Sequence, residues 1–248
     1  MDRLLRYLII SDVHANLEAL DAVLAAAGPY DHALVLGDLV GYGADPNAVI
    51  DRVRALPAAT FIRGNHDKVG AGLENTDGFN YLARHAITWT TSTLTPDRRQ
   101  WLAALPQGPT IIDDLVEICH GAPFDEDVYI FDDLDAMRAL RVARRPLCLF
   151  GHTHVVAGYH AGREMQSVGG IHDTPVHIPR DGGARFLINC GAVGQPRDGD
   201  PRAAYGMLDA TARTLSLARV EYDVSAAQAK IVAAGLPDVL AQRLAVGR

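Results

Sequence analysis

The hydrophobic pattern of the chain changes near residue 155. Before that point, runs of about four apolar residues end abruptly in glycine or polar residues. Such runs are typical of β-strands that are buried on both faces. We predict five of these strands, at residues 7–10, 33–36, 60–62, 116–119 and 147–150.

Helical patterns separate the first three predicted strands. Residues 16–27 place their apolar side chains on one face, and Gly28-Pro29 ends the helix. Residues 45–56 form a second helix, with Pro46 at its first position. A β-α-β-α-β order requires parallel neighbouring strands, and ligands bind outside the carboxyl ends of such strands. We therefore expect the polar strand endings to meet at one edge.

The later part of the chain has a different pattern. Two further helices are predicted at residues 95–105 and 133–145. Short alternating segments then follow, separated by glycine-rich turns, and these indicate antiparallel meanders that form a second sheet. The predicted strands cover residues 155–160, 165–168, 176–178, 184–189, 203–208 and 215–222. Two helices, at 225–234 and 237–246, close a single domain that spans residues 1–248.

The polar strand endings contain the candidate chemistry. They consist of Asp, Asn and His without a thiolate, a mixture that suits Mn²⁺, Fe, Co²⁺, Ni²⁺ or Zn²⁺ better than an all-oxygen Ca²⁺ or Mg²⁺ site. Seven candidate ligands are too many for one ion and suit two. Two close metals need a bridging ligand, and Asp38 is the expected bridge because it follows the middle strand. The seven are Asp12, His14, Asp38, Asn65, His120, His152 and His154.

Each polar ending also has an ordinary interpretation. Asp-x-His is common in loops, Gly-Asp is a frequent turn, and a single histidine after a strand usually only forms a hydrogen bond. The combination of five clusters at five strand ends favours a metal site. Three glycines precede ligands where a side chain would crowd the ions, namely Gly37, Gly64 and Gly151. The remaining histidines are expected to be ordinary surface or supporting residues, namely His32, His85, His160, His172 and His177.

Charge and composition narrow the range of partners. The 248 residues include 23 basic and 30 acidic side chains, for a net charge of −7. A negative field disfavours a non-specific nucleic-acid surface, whereas bound metals can reverse the potential locally for a small phosphate ester. No apolar stretch approaches a membrane span, and the apolar run before Asp12 is too short for a signal peptide. Three cysteines in apolar runs predict buried free thiols, so we expect a soluble cytoplasmic protein.

The ordered polar blocks resemble those of the calcineurin-like metallophosphoesterases, in particular a branch of small bacterial and archaeal members. The resemblance implies a four-layer αββα sandwich of two mixed sheets flanked by helices, with a dinuclear metal site at the strand ends. It also implies phosphate-ester hydrolysis by metal-bound hydroxide, with His66 protonating the leaving group and Asp67 orienting His66. The blocks are Asp12-x-His14, Gly37-Asp38-x-x-Gly41, Gly64-Asn65-His66-Asp67, His120 and Gly151-His152-Thr153-His154.

The resemblance divides the ligands between two ions. One metal would take Asp12, His14, Asp38 and His154, and the other would take Asp38, Asn65, His120 and His152. Asn65 and Arg63 are also candidate substrate-binding residues, since related protein phosphatases hold phosphate with an arginine, and a guanidinium can donate to two phosphate oxygens. A surface or ion-pairing role for Arg63 stays open.

One departure limits the functional assignment. Protein phosphatases and dinucleoside tetraphosphatases carry an arginine shortly after Gly-Asp, where this chain has Gly41-Tyr42-Gly43. The leading hypothesis is therefore a phosphoesterase that acts on a small phosphomonoester or phosphodiester, with two divalent metals of which Mn²⁺ is favoured. The alternatives are a non-catalytic scaffold on the same fold, or one of those two phosphatase types.

Overall fold

The computed structural model describes residues 5–170 and 174–248. One six-stranded sheet, sheet A, contains the three strands that were predicted to be parallel. In this sheet β1, β2 and β3 are parallel, and the other neighbouring strands are antiparallel. Across the sheet the order is β3 (Ala59–Phe61), β2 (His32–Val35), β1 (Arg6–Ile10), β11 (Ala203–Asp209), β12 (Thr214–Val220) and β9 (Val176–His177).

The second six-stranded sheet, sheet B, holds the other two predicted buried strands side by side. Here β5, β6 and β10 run parallel, and the outer pairs are antiparallel. Its order is β4 (Thr110–Ile111), β5 (Val116–Ile118), β6 (Leu147–Phe150), β10 (Ala184–Cys190), β7 (Val156–Gly162) and β8 (Val168–Gly170). Both sheets are therefore mixed, as the family resemblance implied.

The helices begin where the sequence supplies caps. Asn16 accepts a hydrogen bond from the amide of Ala19, and Pro46 and Pro96 occupy first helical positions. Asp132 and Asp223 cap two later helices in the same way as Asn16. The helices are α1 (Leu17–Ala26), α2 (Pro46–Arg54), α3 (Asn65–Gly70), α4 (Tyr81–Thr93), α5 (Pro96–Ala103), α6 (Asp133–Val142), α7 (Val224–Ala233) and α8 (Asp238–Leu244).

The side chains of β1 show how the layers are held together. Leu8 and Ile10 pack with the apolar faces of α1 and α2 in one core cluster. Tyr7 and Ile9 point the other way, into a second cluster between the two sheets. A third cluster joins sheet B to α6. Because strand side chains alternate between faces, this arrangement produces four layers, and the predicted αββα sandwich is confirmed.

One expectation about local structure was wrong, and two helices were not predicted. The strands after residue 155 do not form a sheet of their own, because β7, β8 and β10 complete sheet B and β9, β11 and β12 complete sheet A. The polar segment after β3 begins helix α3 at Asn65, and this helix was not predicted. Helix α4 was not predicted, because its alternation of small and polar residues gives a weak apolar face. In the described residues, no helix is long and apolar enough to cross a membrane.

Candidate metal centre

The carboxyl ends of β1, β2, β5 and β6 and the first turn of α3 meet at one edge of the sandwich. Donor atoms of Asp12, His14, Asp38 and His154 lie within 4.8 Å of one another, and those of Asp38, His120 and His152 form a second such group. The Asn65 amide oxygen lies 3.3 Å from His120 Nε2 and therefore joins the second group. All seven predicted ligands are buried and lie together, and Asp38 belongs to both groups.

The backbone turns sharply at most of these ligands. Asp12, His14, Asp38, His152 and His154 all have φ between 48° and 67°, in the left-handed region. A non-glycine residue rarely adopts this conformation unless the surrounding structure imposes it. The β1 and β2 endings hold each other in place, because the His14 amide donates to the Asp38 carbonyl at 2.9 Å. Strain at so many ligands indicates a site that the fold imposes on the chain.

The imidazoles are oriented by backbone carbonyls. Nδ1 of His14, of His120 and of His154 donates to the carbonyls of Val40, Leu36 and Gln195 at 2.7–2.9 Å. A carbonyl accepts only, so each Nδ1 carries a proton and each Nε2 faces the centre, where it offers a lone pair whenever it is unprotonated. His152 has the opposite arrangement, since its Nε2 faces the Asp127 carbonyl at 3.2 Å and leaves Nδ1 as the donor to a metal.

The geometry of the donors fits a cation. Nε2 of His14 and Nε2 of His154 are 3.0 Å apart, although both present lone pairs. The Asp38 Oδ2 atom lies 3.5 Å from His14 Nε2 and 3.4 Å from His120 Nε2. Electron pairs held this close repel one another unless a positive charge lies among them. The set of carboxylate, amide and imidazole donors is the one that divalent transition metals prefer.

The pKa values of the buried groups also show that the centre favours a positive charge. Burial raises the pKa of Asp12 to about 6, helped by the nearby Asp38 carboxylate. Burial acts to raise the pKa of Asp38 as well, but the charges of His120 and His66 hold it well below its usual range. Burial disfavours a charged His120, yet the Asp38 carboxylate raises the pKa of this imidazole to about 10. The centre therefore strongly favours positive charge beside Asp38.

His66 lies beside the ligands without being one of them. Its backbone amide donates to Asp38 Oδ1 at 2.8 Å, and its ring is 4.6–4.8 Å from the rings of Tyr42, Phe79 and His14. A Cβ on Gly41 would lie 2.3 Å from His66 Nδ1, so only glycine leaves room for this ring. Gly41 itself has φ of 88°. The glycine at position 41 of the Gly-Asp-x-x-Gly block is thus explained by the space that it leaves for the His66 ring.

Asp67 was expected to orient His66, but its carboxylate accepts hydrogen bonds from backbone amides and not from the His66 ring. Its Oδ1 accepts from the amides of Leu39 and Val40 at 2.8 and 3.2 Å, and its Oδ2 accepts from the Gly64 amide at 3.0 Å. The reason is local, because Asp67 is the third residue of α3, where a carboxylate caps the free amides of the helix start. Asp67 therefore fixes the β2 loop and the α3 start against each other.

Arg63 forms an ion pair. Its Nε and Nη2 donate to Oε2 and Oε1 of Glu126 at 3.1 and 2.9 Å, and Glu126 is buried. A bidentate pair of this kind satisfies the face of the guanidinium that would otherwise hold a phosphate. The sequence left open whether Arg63 binds phosphate or forms an ion pair, and in the structure it forms the ion pair.

A different arginine, Arg197, lies at the centre. Its guanidinium is 5.4 Å from the Tyr42 ring centroid, and its backbone amide donates to the His154 carbonyl at 3.0 Å. Its charge acts on the pKa of Asp12 and of His154. Arg197 stands in the segment that follows β10. No strand ending precedes it directly, so its place could not be derived from the pattern.

The other predicted features are ordinary. The three cysteines are buried and free. His32, His160 and His177 contact Thr60, Phe186 and Thr214. His85 meets Tyr81 edge to face, and His172 lies outside the described residues. None of these histidines belongs to a metal-type cluster in the part of the chain that the structure describes.

Comparison with known proteins identifies the family. The sequence model of the calcineurin-like phosphoesterases matches residues 5–156, which is more than half of the chain. The chain belongs to this family. The match contains all five strand endings and therefore all seven candidate ligands.

Individual relatives match nearly the whole length of this chain. The uncharacterized protein MJ0912 of Methanocaldococcus jannaschii is 34% identical over 252 residues, or 97% of each chain. A metallophosphoesterase from Sphaerobacter thermophilus is 39% identical, with a TM-score of 0.84 over 99% of this chain and 100% of that one. The hypothetical protein PH1004 of Pyrococcus horikoshii OT3 shares the fold at 19% identity, with a TM-score of 0.79 over 99% of each chain.

Replacing Gly64 by alanine tests the packing around Asp38. A Cβ at Gly64 would lie 2.1 Å from Asp38 Oδ1, so the carboxylate must move. We expect Gly64→Ala to weaken Mn²⁺ affinity by about 10- to 100-fold, as is typical when a residue that positions a ligand is changed. Gly78→Ala is the matched control, because no atom lies within 4 Å of its Cβ position. Equal Mn²⁺ affinities in titrations of the two folded variants would contradict this account of the glycine.

Proposed function

We propose that this protein hydrolyses a small phosphate ester with the help of two divalent transition-metal ions, of which Mn²⁺ is the favoured pair and Fe, Zn²⁺, Co²⁺ and Ni²⁺ are alternatives. The observation that carries the proposal is the pair of donor groups that share Asp38, with His66 held next to them. Asp12, His14, Asp38 and His154 would hold one ion. Asp38, Asn65, His120 and His152 would hold the other. When bound, such ions neutralise phosphoryl oxygens and acidify water.

His66 has the position of a proton donor to the leaving group. It lines the open pocket beside the ligands, together with Asn65 and His152. Burial lowers the pKa of His66 to about 3, against the opposing charge of Asp38. The negative charge of a bound phosphate ester would raise this pKa again and favour the imidazolium that donates the proton.

Arg197 is the cation best placed to hold the substrate phosphate. Its Nη2 donates to the amide oxygen of Gln195 at 3.0 Å, a neutral partner, whereas Arg63 faces a carboxylate. It also lies over Tyr42, the residue that follows Gly41 where related phosphatases carry their own arginine. We propose that Arg197 takes over the role that the sequence suggested for Arg63.

The scaffold alternative makes a different use of the same residues. A protein that only binds needs neither a free imidazole beside the ligands nor the glycine that makes room for it. The space that Gly41 leaves for the His66 ring therefore favours an enzyme over a scaffold. A panel of phosphomonoesters and phosphodiesters assayed with Mn²⁺ would decide between the two, since the absence of hydrolysis of every ester by metal-loaded protein would favour the scaffold. The buried free thiols fit the proposed cytoplasmic location.

Metal content provides the first test. We expect two ions per chain in fully loaded protein, and we expect Asp38→Asn to deplete both, because the bridge loses an anionic oxygen. Elemental analysis of the purified variants measures this directly. Asp51→Asn, a change at an exposed carboxylate of α2, is the control that should keep both ions. One ion per wild-type chain would contradict the dinuclear arrangement.

The two arginines should respond differently to substitution. Arg197→Ala should lower kcat/KM by the equivalent of about 1.5–3 kcal/mol, the value of a charge-assisted hydrogen bond, and should leave the metal content unchanged. Arg63→Ala should cost less activity and should instead lower the free energy of unfolding, because the buried Glu126 would lose its bidentate partner and keep only Lys68, 3.4 Å away. If Arg63→Ala abolished activity and Arg197→Ala did not, the assignment would be reversed.

Leaving-group dependence tests the role of His66. His66→Ala should keep both metals and lower kcat by roughly 10²–10⁴-fold for esters of poor, alkoxide-like leaving groups. The loss should be much smaller for p-nitrophenyl esters, because p-nitrophenolate departs without a proton. An equal loss for all esters, or a loss of metal, would place His66 among the phosphate-binding or metal-binding residues.

A further inference from the structure

We propose that the pocket beside His66 binds the alcohol portion of the substrate, and that this portion is a planar, uncharged ring. This inference rests on the proposed function and adds a substrate class to it. It is drawn from the aromatic rings, the amide groups and the charges of the pocket wall.

The pocket is large enough for one ring. It has a volume of about 220 Å³ and reaches from Asn65, His66 and His152 at the candidate centre to the surface. Its walls include residues of α3, residues of the segment 74–80 before α4, and Asp127 and Tyr129 of the segment after β5. Because His66 lines it, a group in this pocket would lie on the leaving-group side of the phosphate.

Aromatic rings line the path from the centre outward. The ring of Tyr129 stacks on the metal-ligand candidate His152, with centroids 3.7 Å apart and planes 20° from parallel. Phe131, which does not line this pocket, stacks on Tyr129 from outside it at 5.1 Å and 8°. On the other segment, Phe79 lies 4.6 Å from the His66 ring. Tyr129, which lines the pocket, is 40% exposed, so part of its ring surface faces solvent where a planar ligand could cover it.

The polar groups of the walls suit the edge of such a ring. Asn80 Oδ1 accepts from the Ala83 amide at 3.1 Å, and Asn75 Oδ1 accepts from the Asp77 amide at 2.9 Å. Both carboxamide oxygens are therefore engaged, and the two NH₂ groups remain as donors to a ligand. Such donors match the oxygen or nitrogen acceptors on the edge of a polar ring.

The charges of the walls exclude a second phosphate. Lys68 is the cation that lines this pocket, and its Nζ lies 2.6 Å from Glu74, 2.7 Å from Asp127 and 3.4 Å from Glu126. Glu126 is also paired with Arg63, so two positive charges face three negative charges here, and the balance stays negative. A polyphosphate or a carboxylate in the pocket would meet net repulsion, whereas an uncharged ring would not.

Binding of phosphonates tests the pocket without turnover, because their C–P bond is not an ester. The full chain loaded with Mn²⁺ would be titrated calorimetrically with phenylphosphonate, with cyclohexylphosphonate and with 4-carboxyphenylphosphonate. These probes share one phosphonate group and differ in planarity or charge. We expect phenylphosphonate to bind about three- to tenfold more tightly than cyclohexylphosphonate, the range of aromatic stacking contributions. The carboxylated probe should bind more weakly than phenylphosphonate.

Variants locate the effect in the pocket. Tyr129→Ala should remove the preference for phenylphosphonate over cyclohexylphosphonate, and Tyr129→Phe should retain it, since the ring is kept. Metal content is measured in each variant, because Tyr129 contacts His152. Phe124→Ala is the matched control, since Phe124 is an exposed ring of the same connecting segment and lines a different cavity.

Kinetics separates failure of this inference from failure of the proposed function. Phenyl phosphate should be hydrolysed with a higher kcat/KM than 4-carboxyphenyl phosphate, whose leaving group is of similar acidity. Equal values, together with equal binding of the planar and non-planar phosphonates, would overturn the ring pocket while leaving the phosphoesterase intact. If phenylphosphonate bound more tightly than cyclohexylphosphonate but no ester were hydrolysed, the ring pocket would be supported and the proposed hydrolysis would be contradicted.

Discussion

The structure depends on the burial of carboxylates at one edge of two packed sheets. Asp12, Asp38 and Asp67 are at most 1% exposed. Two unit charges 4 Å apart interact by about 4 kcal/mol at the effective dielectric constant near a protein surface, so this concentration of negative charge is costly. Each carboxylate is stabilised by backbone amides, from His152 for Asp12, from His66 for Asp38 and from three residues for Asp67. The same amides fix the loops, so the loops and the negative charge form together.

This constraint explains why the centre draws on the whole sandwich. Asp38 ends a strand of sheet A, and His120 ends a strand of sheet B, yet their side chains meet at 3.4 Å. The contact requires the two sheets to be packed in register through the core between them. Each donor group combines residues from both sheets, so a shift between the sheets would move donors apart within each group.

The sequence predicted the strand endings and the ligands because two signals coincide there. A buried strand has an apolar run of fixed length, and the residues that follow it must satisfy both the turn and the chemistry, so Asp38 and His152 stand out. The pairing of the later strands could not be predicted, because alternation identifies a strand such as β9 without naming its neighbour. Asp67 follows the ligand Asn65 closely, and only the structure shows that its partners are amides of α3 and of the β2 loop.

The two arginines also show that partners set by sheet order cannot be predicted from the sequence. Arg63 stands beside the Gly-Asn-His-Asp block and looked like part of it, but its partner Glu126 comes 63 residues later. Arg197 comes after the last block, in a segment without periodic pattern, and reaches the centre because β10 ends beside β6. Proximity along the chain is a weak guide to side chains whose partners are set by sheet order.

The left-handed conformation of five candidate ligands affects how the sequence of such a centre can evolve. At each of these positions glycine would suit the backbone better, and the left-handed region costs a non-glycine residue about 1–2 kcal/mol. Selection for stability alone would therefore favour glycine at Asp12, His14, Asp38, His152 and His154. Each replacement would remove one donor. The side chains at these turns are thus maintained against the preference of their own backbone, and a lineage released from selection for the chemistry would gain stability as it lost the centre.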